Sequence, residues 1–319
     1  MPITVDCHIH SENSCDEACI KVSDLVRRAR EKSILDLCLT DHVHTPFNLP
    51  DIAASRRDYL ACTPSPRFHF GVEVSVVSQW ELGEIASVFA DRRRVARRAT
   101  PAGPAGLNVA PPRHLPIGKN IAGRHANPVY GLRTGGPPGA PLAIGLSAQD
   151  IASYYIEYVV GGTHWPMYVE IEREAVIRDY HRQNMFLATH PLVDIVAHPW
   201  WWMKYWQAPD GMYRTDPWFD DFRRIPQTMH DEFAAAAIQH GTVVEINLEA
   251  MLLNRQYTEQ FRRQYVDYLA YLQSRGVILT AGSDCHDALY QMDFETGERM
   301  LASVGIRDEH LWRPEPRLK

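Results

Sequence analysis

The sequence predicts an α/β protein, a TIM-like barrel of about seven βα units with a metal site at the C-terminal ends of its strands. Three observations support this prediction. Short runs of aliphatic and β-branched residues alternate with helical patterns along the chain. Most of these runs are apolar nearly throughout, as is typical of parallel strands that are buried on both faces. Histidine or acidic residues follow most of the runs directly.

Seven segments are predicted as strands: Ile3–Cys7, Leu35–Leu39, Phe68–Val74, Ile156–Val160, Val193–Ala197, Val243–Asn247 and Val277–Ala281. Helical patterns lie between them, among them "REAVIRDYHRQNMFLAT", "DEFAAAAIQHG" and "QFRRQYVDYLAYLQSRG". The last two patterns end at Gly241 and Gly276. Ser23 is expected to cap a helix over "DLVRRAREKS", and Ser147 and Asp150 have the spacing of a capping box before "IASYYIE".

Composition excludes several classes of protein. The chain has 319 residues, of which 45% are hydrophobic and 23% charged, values typical of a globular protein. A net charge of −6 argues against a general nucleic-acid-binding protein. No apolar run approaches the ~18 residues that cross a membrane, and "MPITVD" does not read as a leader. The six cysteines form no paired framework, which favours reduced thiols and a cytoplasmic location.

One segment differs from the rest in composition. From Arg92 to Gln149 there is no acidic residue, whereas nine Lys and Arg and many Pro and Gly occur there. Such a composition without apolar periodicity cannot supply a packed core. We therefore predict a single domain over 1–319 with a low-complexity or disordered insertion at about 88–126. The insertion is open to three interpretations: a surface loop, a basic lid that attracts an anionic substrate, or a stretch translated from another frame of a GC-rich gene.

Metal-capable side chains recur where the predicted strands end, in "HIH", "TDHVH", "GVEVS", "GGTHW", "AHPWWW" and "SDCH". In a parallel barrel these strand ends share one face, so distant residues converge on one pocket. His8 and His10 are two apart, which on a strand places both side chains on one face. Imidazole and carboxylate ligands together suit zinc, manganese or iron, and a carboxylate such as Glu73 can bridge two ions. Each residue alone is weak evidence, but their joint placement predicts a site for divalent metal ions.

The order of these motifs resembles that of the PHP (polymerase and histidinol phosphatase) superfamily over nearly the whole chain apart from the insertion. The resemblance implies a distorted seven-stranded βα barrel with two or three metal ions at its mouth. It implies three ligand sets: His8, His10, Glu73 and Asp284; Glu73, His164 and His198; and Asp16, His42 and His286. It also implies metal-dependent hydrolysis of a phosphate ester of a small substrate by a metal-activated hydroxide, with histidinol phosphatase as the specific expectation.

Further residues receive expected roles. Asp41, His42 and Asp284 are candidates to assist proton transfer. His44, Arg133 and Lys204 are candidates to contact the substrate, since cationic groups bind phosphate. The aromatic patch "HPWWWMKYW" is either a packed loop or a wall of the substrate pocket. Glu245 and Asn247 are expected to orient a ligand histidine or to be ordinary polar residues of the barrel mouth.

Three alternative functions remain open from the sequence. An amidohydrolase-type enzyme also uses His-x-His on a barrel, although it usually has a bridging lysine where this chain has "GGTHW". PHP proteins of similar size act on nucleotides or nucleic-acid ends. A metal-stabilised module without catalytic activity is the third alternative.

Overall fold

The computed structural model describes residues 2–16, 18–84, 86–87, 136–170, 172–202, 206–207, 213–214 and 221–315. The insertion predicted at about 88–126 lies outside these residues, and so do two of the candidate substrate contacts, Arg133 and Lys204. The single-domain organisation over 1–319 therefore stays a prediction.

The strands are β1 (Val5–Ile9), β2 (Asp36–Leu39), β3 (His42–Val43), β4 (Phe68–Ser78), β5 (Leu142–Ile144), β6 (Tyr158–Gly162), β7 (Ile195–Ala197), β8 (Trp206–Gln207), β9 (Tyr213–Arg214), β10 (Val243–Asn247) and β11 (Leu279–Gly282). The α-helices are α1 (Val22–Glu31), α2 (Leu49–Ala61), α3 (Ala148–Tyr154), α4 (Arg173–Thr189), α5 (Gln227–His240), α6 (Glu259–Ser274) and α7 (Phe294–Ala302).

Seven of the strands form a nearly closed, mainly parallel barrel in the order β1, β2, β4, β6, β7, β10, β11. The short β3 adds to β4 in parallel, and β5 pairs with the end of β4 in the antiparallel sense. The fold prediction is thus confirmed: each of the seven predicted segments contributes a barrel strand, with ends shifted by a few residues. The alternation of strand and helix decided this outcome, because parallel neighbours require crossover connections.

The seam between β1 and β11 closes the barrel without a regular ladder. A parallel bridge joins Ile9 to Cys285, just beyond the end of β11. The amide of Asp284 donates to the carbonyl oxygen of His8 at 2.7 Å, and the amide of His10 to that of Cys285 at 3.4 Å. The seam joins the first strand of the barrel to the last. Candidate metal ligands lie beyond the ends of both strands, His10 after β1 and Asp284 after β11.

Helix boundaries confirm one predicted cap and correct another. Ser147 and Asp150 form the predicted capping box at the start of α3. Helix α1 begins at Val22 with Lys21 as its N-cap, so the prediction that Ser23 caps this helix is wrong. The buried positions of α1 (Val22, Leu25 and Ala29) recur at a helical period, which places Ser23 inside the first turn.

The helices pack their apolar faces onto the strands in one hydrophobic core. Phe261, Tyr265 and Leu269 of α6 belong to the same buried cluster as Val244 of β10 and Leu279 of β11. Within the part of the chain that the structure describes, no helix has the length and apolar character of a membrane span. The six cysteines, all of them among the described residues, are free thiols.

Candidate metal centre

Nine candidate ligands meet at the mouth of the barrel because each lies in or beyond the C-terminal part of a strand. They are His8, His10 and Asp16 on or after β1, His42 on β3, Glu73 on β4, His164 after β6, His198 after β7, and Asp284 and His286 after β11. Six of them are buried, and Asp16, Asp284 and His286 are partly exposed. Eight of the side chains form three groups that are compact enough for metal binding, and the ninth, His198, lies beside Glu73.

The first group contains His8, His10, Glu73 and Asp284. The two Nε2 atoms of the histidines are 3.0 Å apart. Glu73 Oε2 lies 3.1 Å from Nε2 of His8 and 3.4 Å from Nε2 of His10. Asp284 Oδ1 lies 3.5 Å from Nε2 of His8 and 3.2 Å from Nε2 of His10. Ligand atoms about 2.0–2.1 Å from a tetrahedral zinc ion would be about 3.3 Å from one another. The spacing of these four atoms therefore fits one ion.

The second group is built around the other oxygen of Glu73. Oε1 lies 3.1 Å from His164 Nε2 and 3.2 Å from His198 Nε2. Gly162 makes room for the group: a Cβ atom there would lie 2.5 Å from this oxygen and 2.6 and 2.9 Å from Cε1 of the two histidines. The structure also places His42 beside Glu73 and His164. Glu73 thus offers one oxygen to each of the first two groups, as a bridging carboxylate would.

The third group contains Asp16, His42, His286 and also His10, which the sequence had not assigned to it. Asp16 Oδ2 lies 2.9 Å from Nε2 of His42 and 2.8 Å from Nε2 of His286. The loop that carries Asp16 folds back over the barrel mouth, because the amide of Cys19 donates to the carbonyl oxygen of His286 at 3.2 Å. Residue spacing could not show this approach, since it depends on a loop.

Buried polar atoms in these groups lack hydrogen bonds, and this supports the fit to metal. Glu73 Oε2 is buried and has no hydrogen-bond partner among the described residues. His42 Nδ1 lies 2.9 Å from it, yet it too has no hydrogen-bond partner there. An unbonded buried carboxylate oxygen is costly, and a cation in this position would satisfy both atoms. The donor set of imidazole and carboxylate suits zinc, manganese or iron.

Partners outside the groups orient three of the rings. His8 Nδ1 lies 2.7 Å from Glu245 Oε1, His164 Nδ1 lies 2.9 Å from Ser75 Oγ, and His286 Nδ1 lies 2.7 Å from the carbonyl oxygen of Asp284. A ring that donates from Nδ1 keeps Nε2 unprotonated and ready to ligate. In each ring, Nε2 is the nitrogen that faces a carboxylate of the groups described above.

Glu245 and Asn247 both contact the site. The second oxygen of Glu245 accepts from the amide of His198 at 2.7 Å. The side-chain amide of Asn247 donates to Glu245 Oε2 at 3.0 Å and to Asp284 Oδ2 at 3.1 Å. The two residues thus connect β10 to candidate ligands on β1, after β7 and after β11.

Asp41 and His44 lie beside the groups rather than within them. Asp41 is buried; its Oδ1 accepts from the amide of Ser11 and its Oδ2 from the Ser11 hydroxyl, both at 2.6 Å, and Oδ2 also accepts from the Ser55 hydroxyl. Burial raises the pKa of Asp41 to about 6. His44 stacks on His42 with ring centroids 4.4 Å apart, and its Nδ1 lies 2.5 Å from Ser75 Oγ.

The tryptophans after β7 divide into two kinds. Trp200 and Trp202 are fully buried in the core. Trp201 is only partly buried and lies with its ring centroid 5.1 Å from that of His198 and 5.8 Å from that of His164. Trp165 packs against His164 at 5.3 Å. Two of these rings therefore pack in the core and one faces the candidate ligands. A wall of the substrate pocket stays a prediction.

Opposite charges balance inside the site. Burial lowers the pKa of His8, but the carboxylates of Glu245, Asp284 and Glu73 outweigh burial and raise it well above its ordinary value. A similar balance, dominated after burial by Glu73 and Asp16, raises the pKa of His42 to about 10. The acidic groups therefore favour positive charge on these two imidazoles, and divalent ions can replace the protons that they carry.

The residues that support the candidate ligands were not predicted from the sequence. Five residues form hydrogen bonds with candidate site residues or with the loops that carry them: Ser11, Ser55, Ser75, Asp6 and Tyr290. None of them belongs to a recognisable motif. Ser75 alone offered a signal, because it lies two residues after Glu73 and so shares its face of the strand.

Comparison with known proteins agrees with the resemblance. A family model described as "PHP domain" matches residues 6–280. The fold is similar to that of histidinol phosphate phosphatase (HisK) from Lactococcus lactis subsp. lactis, solved in complex with zinc, L-histidinol and phosphate (TM-score 0.55, 16% identity, 96% of this chain and 95% of that chain). It is also similar to a candidate histidinol phosphatase from Listeria monocytogenes (TM-score 0.52, 11% identity, 91% and 98%). No curated protein matches the chain.

Proposed function

Because the chain belongs to the PHP family and is therefore a metal-dependent phosphoesterase, we propose that it hydrolyses a small phosphate monoester at the barrel mouth. The observation that carries this proposal is Glu73, whose two oxygens face two different ligand groups. Such a carboxylate suits a pair of neighbouring ions, and paired ions are the usual means of clamping a phosphoryl group.

The proposed ligands are the nine residues of the three groups. His8, His10, Glu73 and Asp284 would hold one ion; Glu73, His164 and His198 a second; and Asp16, His42 and His286 a third. Bound divalent ions supply a water-derived nucleophile near neutral pH and charge that neutralises the phosphoryl oxygens. Zinc, manganese and iron all suit this donor set, and either two or three ions are compatible with it.

The protein's own residues supply orientation and proton transfer. Glu245, whose carboxylate accepts, favours the proton of His8 on Nδ1, and Ser75 orients the ring of His164. We propose Asp284 and His42 for proton transfer because both lie within the ligand groups. Asp41 is a third candidate for this role, but the hydrogen bonds from Ser11 and Ser55 to its carboxylate favour a role in holding the loop after β1.

The substrate is proposed to be a phosphate ester of a small organic alcohol, as in a histidinol-phosphatase-like enzyme. Trp201 lies beside His198 and His164, where it would form one wall for the organic part of the substrate. His44 lies close enough to His42 and Trp165 to complete that side. Arg133 and Lys204 stay predicted contacts of the phosphate.

A phosphatase panel on one preparation of defined metal content tests the proposal. The panel contains an aryl phosphate, L-histidinol phosphate, nucleoside monophosphates, a terminally phosphorylated oligonucleotide, a lactone and an amide. We expect turnover of phosphate monoesters that is lost on chelation and restored by zinc, manganese or iron. Turnover of the lactone or amide with no release of phosphate from any ester would overturn the proposal.

Two substitutions locate the activity. His10→Ala and Asp284→Ala should abolish turnover while the circular dichroism spectrum is preserved. His310→Ala, which changes an exposed histidine in a short helix before the C-terminus, is the matched control and should keep wild-type turnover. Full activity in His10→Ala would show that the reaction takes place elsewhere.

A further inference from the structure

The loop from 283 to 290 follows β11 and carries two proposed ligands, Asp284 and His286. We propose that Asp6 is a positioning residue that clamps both ends of this loop to β1 and thereby holds Asp284 and His286 at the metal centre. This inference rests on the proposed metal centre and adds to it a residue that neither the motif nor the ligand groups include.

The contacts of Asp6 carry the argument. Asp6 lies on β1, two residues before His8, and is fully buried. Its Oδ1 accepts from the amide of Ser283 at 2.8 Å, at the start of the loop. Its Oδ2 accepts from the hydroxyl of Tyr290 at 2.6 Å, at the end of the loop. One carboxylate therefore accepts hydrogen bonds from the loop on both sides of the two proposed ligands.

The same carboxylate also reaches β1 itself. Oδ1 lies 3.2 Å from the amide nitrogen of His8 and accepts a hydrogen bond from it. Because β1 and β11 share no regular ladder, these side-chain contacts replace part of the strand pairing at the seam. Asp6 thus contributes, together with the backbone hydrogen bond from Asp284 to His8, to holding the two strands in register.

The loop needs such a clamp because its backbone is strained. Asp284 has φ +56° and Tyr290 has φ +52°, the left-handed region that residues with a Cβ rarely adopt. Such conformations persist only where surrounding contacts hold them, and they concentrate at functional sites. Asp287 shapes the loop from within, accepting from the amides of Leu289 and Gln291. Asp6 fixes the shaped loop to the barrel.

Direct metal binding tests the clamp without relying on catalysis. The metal-free full-length chain is titrated with zinc in competition with a chromophoric chelator, and the visible spectrum of the cobalt(II)-loaded protein reports ligand geometry. Asp6→Asn and Tyr290→Phe should weaken zinc binding by about 10–100-fold, the usual loss for residues that orient metal ligands, and should change the cobalt spectrum. Asp6→Ala should weaken binding further, so that the conservative variant partly rescues it.

Tyr59→Phe is the matched control. It removes a buried tyrosine hydroxyl that donates at 2.6 Å to the carbonyl oxygen of Phe68, at the start of β4 and away from the metal centre. It should lower thermal stability much as Tyr290→Phe does but keep wild-type zinc affinity and cobalt spectrum. If the role of Asp6 were purely structural, Tyr290→Phe, like Tyr59→Phe, would lower thermal stability and leave zinc affinity and the cobalt spectrum unchanged.

The outcomes separate the clamp from the metal centre. Wild-type zinc affinity and an unchanged cobalt spectrum in both Asp6→Asn and Tyr290→Phe would overturn the clamp and leave the metal centre intact. A wild-type chain that binds neither zinc nor cobalt would overturn both. If Asp6→Ala does not fold, the two conservative variants decide the question, because each removes a single contact.

Discussion

Oε1 of Glu245 lies 2.7 Å from Nδ1 of His8, and both side chains are buried. The contact joins β10 to β1 across β11, which lies between them in the barrel. A carboxylate that accepts from one ring nitrogen leaves the other free for a metal ion and fixes the orientation of the ring. Glu245 therefore reaches the proposed first ion through His8.

Replacing Glu245 by Gln tests this relationship. The Gln side chain has a single acceptor oxygen. It can accept from the ring of His8 or from the backbone amide of His198, but not from both as the two carboxylate oxygens do. We expect zinc affinity to fall about 10–100-fold. Glu232→Gln is the control, since it changes an exposed Glu–His pair with His181 on the helices outside the barrel mouth. Unchanged zinc affinity in Glu245→Gln would contradict the orienting role.

Replacing Gly162 by Ala should damage the second ligand group. The added Cβ would lie 2.5 Å from Glu73 Oε1 and 2.6 Å from His164 Cε1, so at least one proposed ligand must move. Displacement of about 1 Å can lower the rate by about 100-fold, which we expect for kcat/KM. Bound metal, measured by elemental analysis, should fall as well.

The neighbouring substitution Gly161→Ala serves as the control for this change. Its Cβ would meet the flexible end of Leu187 at 2.7 Å and Val193 at 3.1 Å, in the core and away from the ligands. It should lower the free energy of unfolding by about 1–3 kcal/mol, as overpacking does, while metal content stays at the wild-type level. Equal loss of metal in Gly161→Ala and Gly162→Ala would contradict the prediction that Gly162 specifically provides space for the second ligand group.

Replacing Asp16 by Asn should remove the third ion selectively. The carboxylate lies between His42 and His286 and is the acidic member of that group. The amide keeps the size but loses the charge, so we expect one ion fewer per chain by elemental analysis and reduced kcat. Retention of the same number of ions as in the wild type would contradict the assignment of Asp16 as a ligand.

Acid sensitivity is predicted from His230, a buried histidine of α5 that is not among the proposed ligands. His230 is 5% exposed among Trp200, Phe222 and Tyr268. Burial lowers its pKa from 6.5 to about 4, with a small opposing effect of Asp231. Between these values the unfolded chain binds a proton that the folded chain does not. The free energy of unfolding should therefore be unaffected by this group above about pH 6.5 and fall as the pH drops towards 4.

The variant His230→Phe removes this titration and keeps an aromatic ring in the cluster. The full effect of the wild-type histidine at pH 4 is roughly 3 kcal/mol, from a pKa difference of about 2.5 units. Urea unfolding at several pH values, on the same metal-free preparation, measures it. An identical decline in wild type and His230→Phe would show that other groups cause the acid sensitivity.

Much of the fold and part of the site could be predicted because they depend on local patterns. Apolar runs such as Val243–Asn247 identify strands by composition, and His8 and His10 share a face because the strand period is two. Tertiary contacts decided the rest. Trp200 and Trp202 are core residues while Trp201 faces the site, a division that three identical residues in a row could not reveal.

The sequence by itself determined the barrel, the family and the ends of the strands at which metal ligands occur. It did so because strand periodicity and residue type are local properties. Only the tertiary structure decided that Asp16 reaches His42 and His286, that Gly162 leaves space beside Glu73, and that Asp6 grips both ends of the loop from 283 to 290. These relationships join residues far apart in the chain through loops and side-chain directions, for which no sequence period exists.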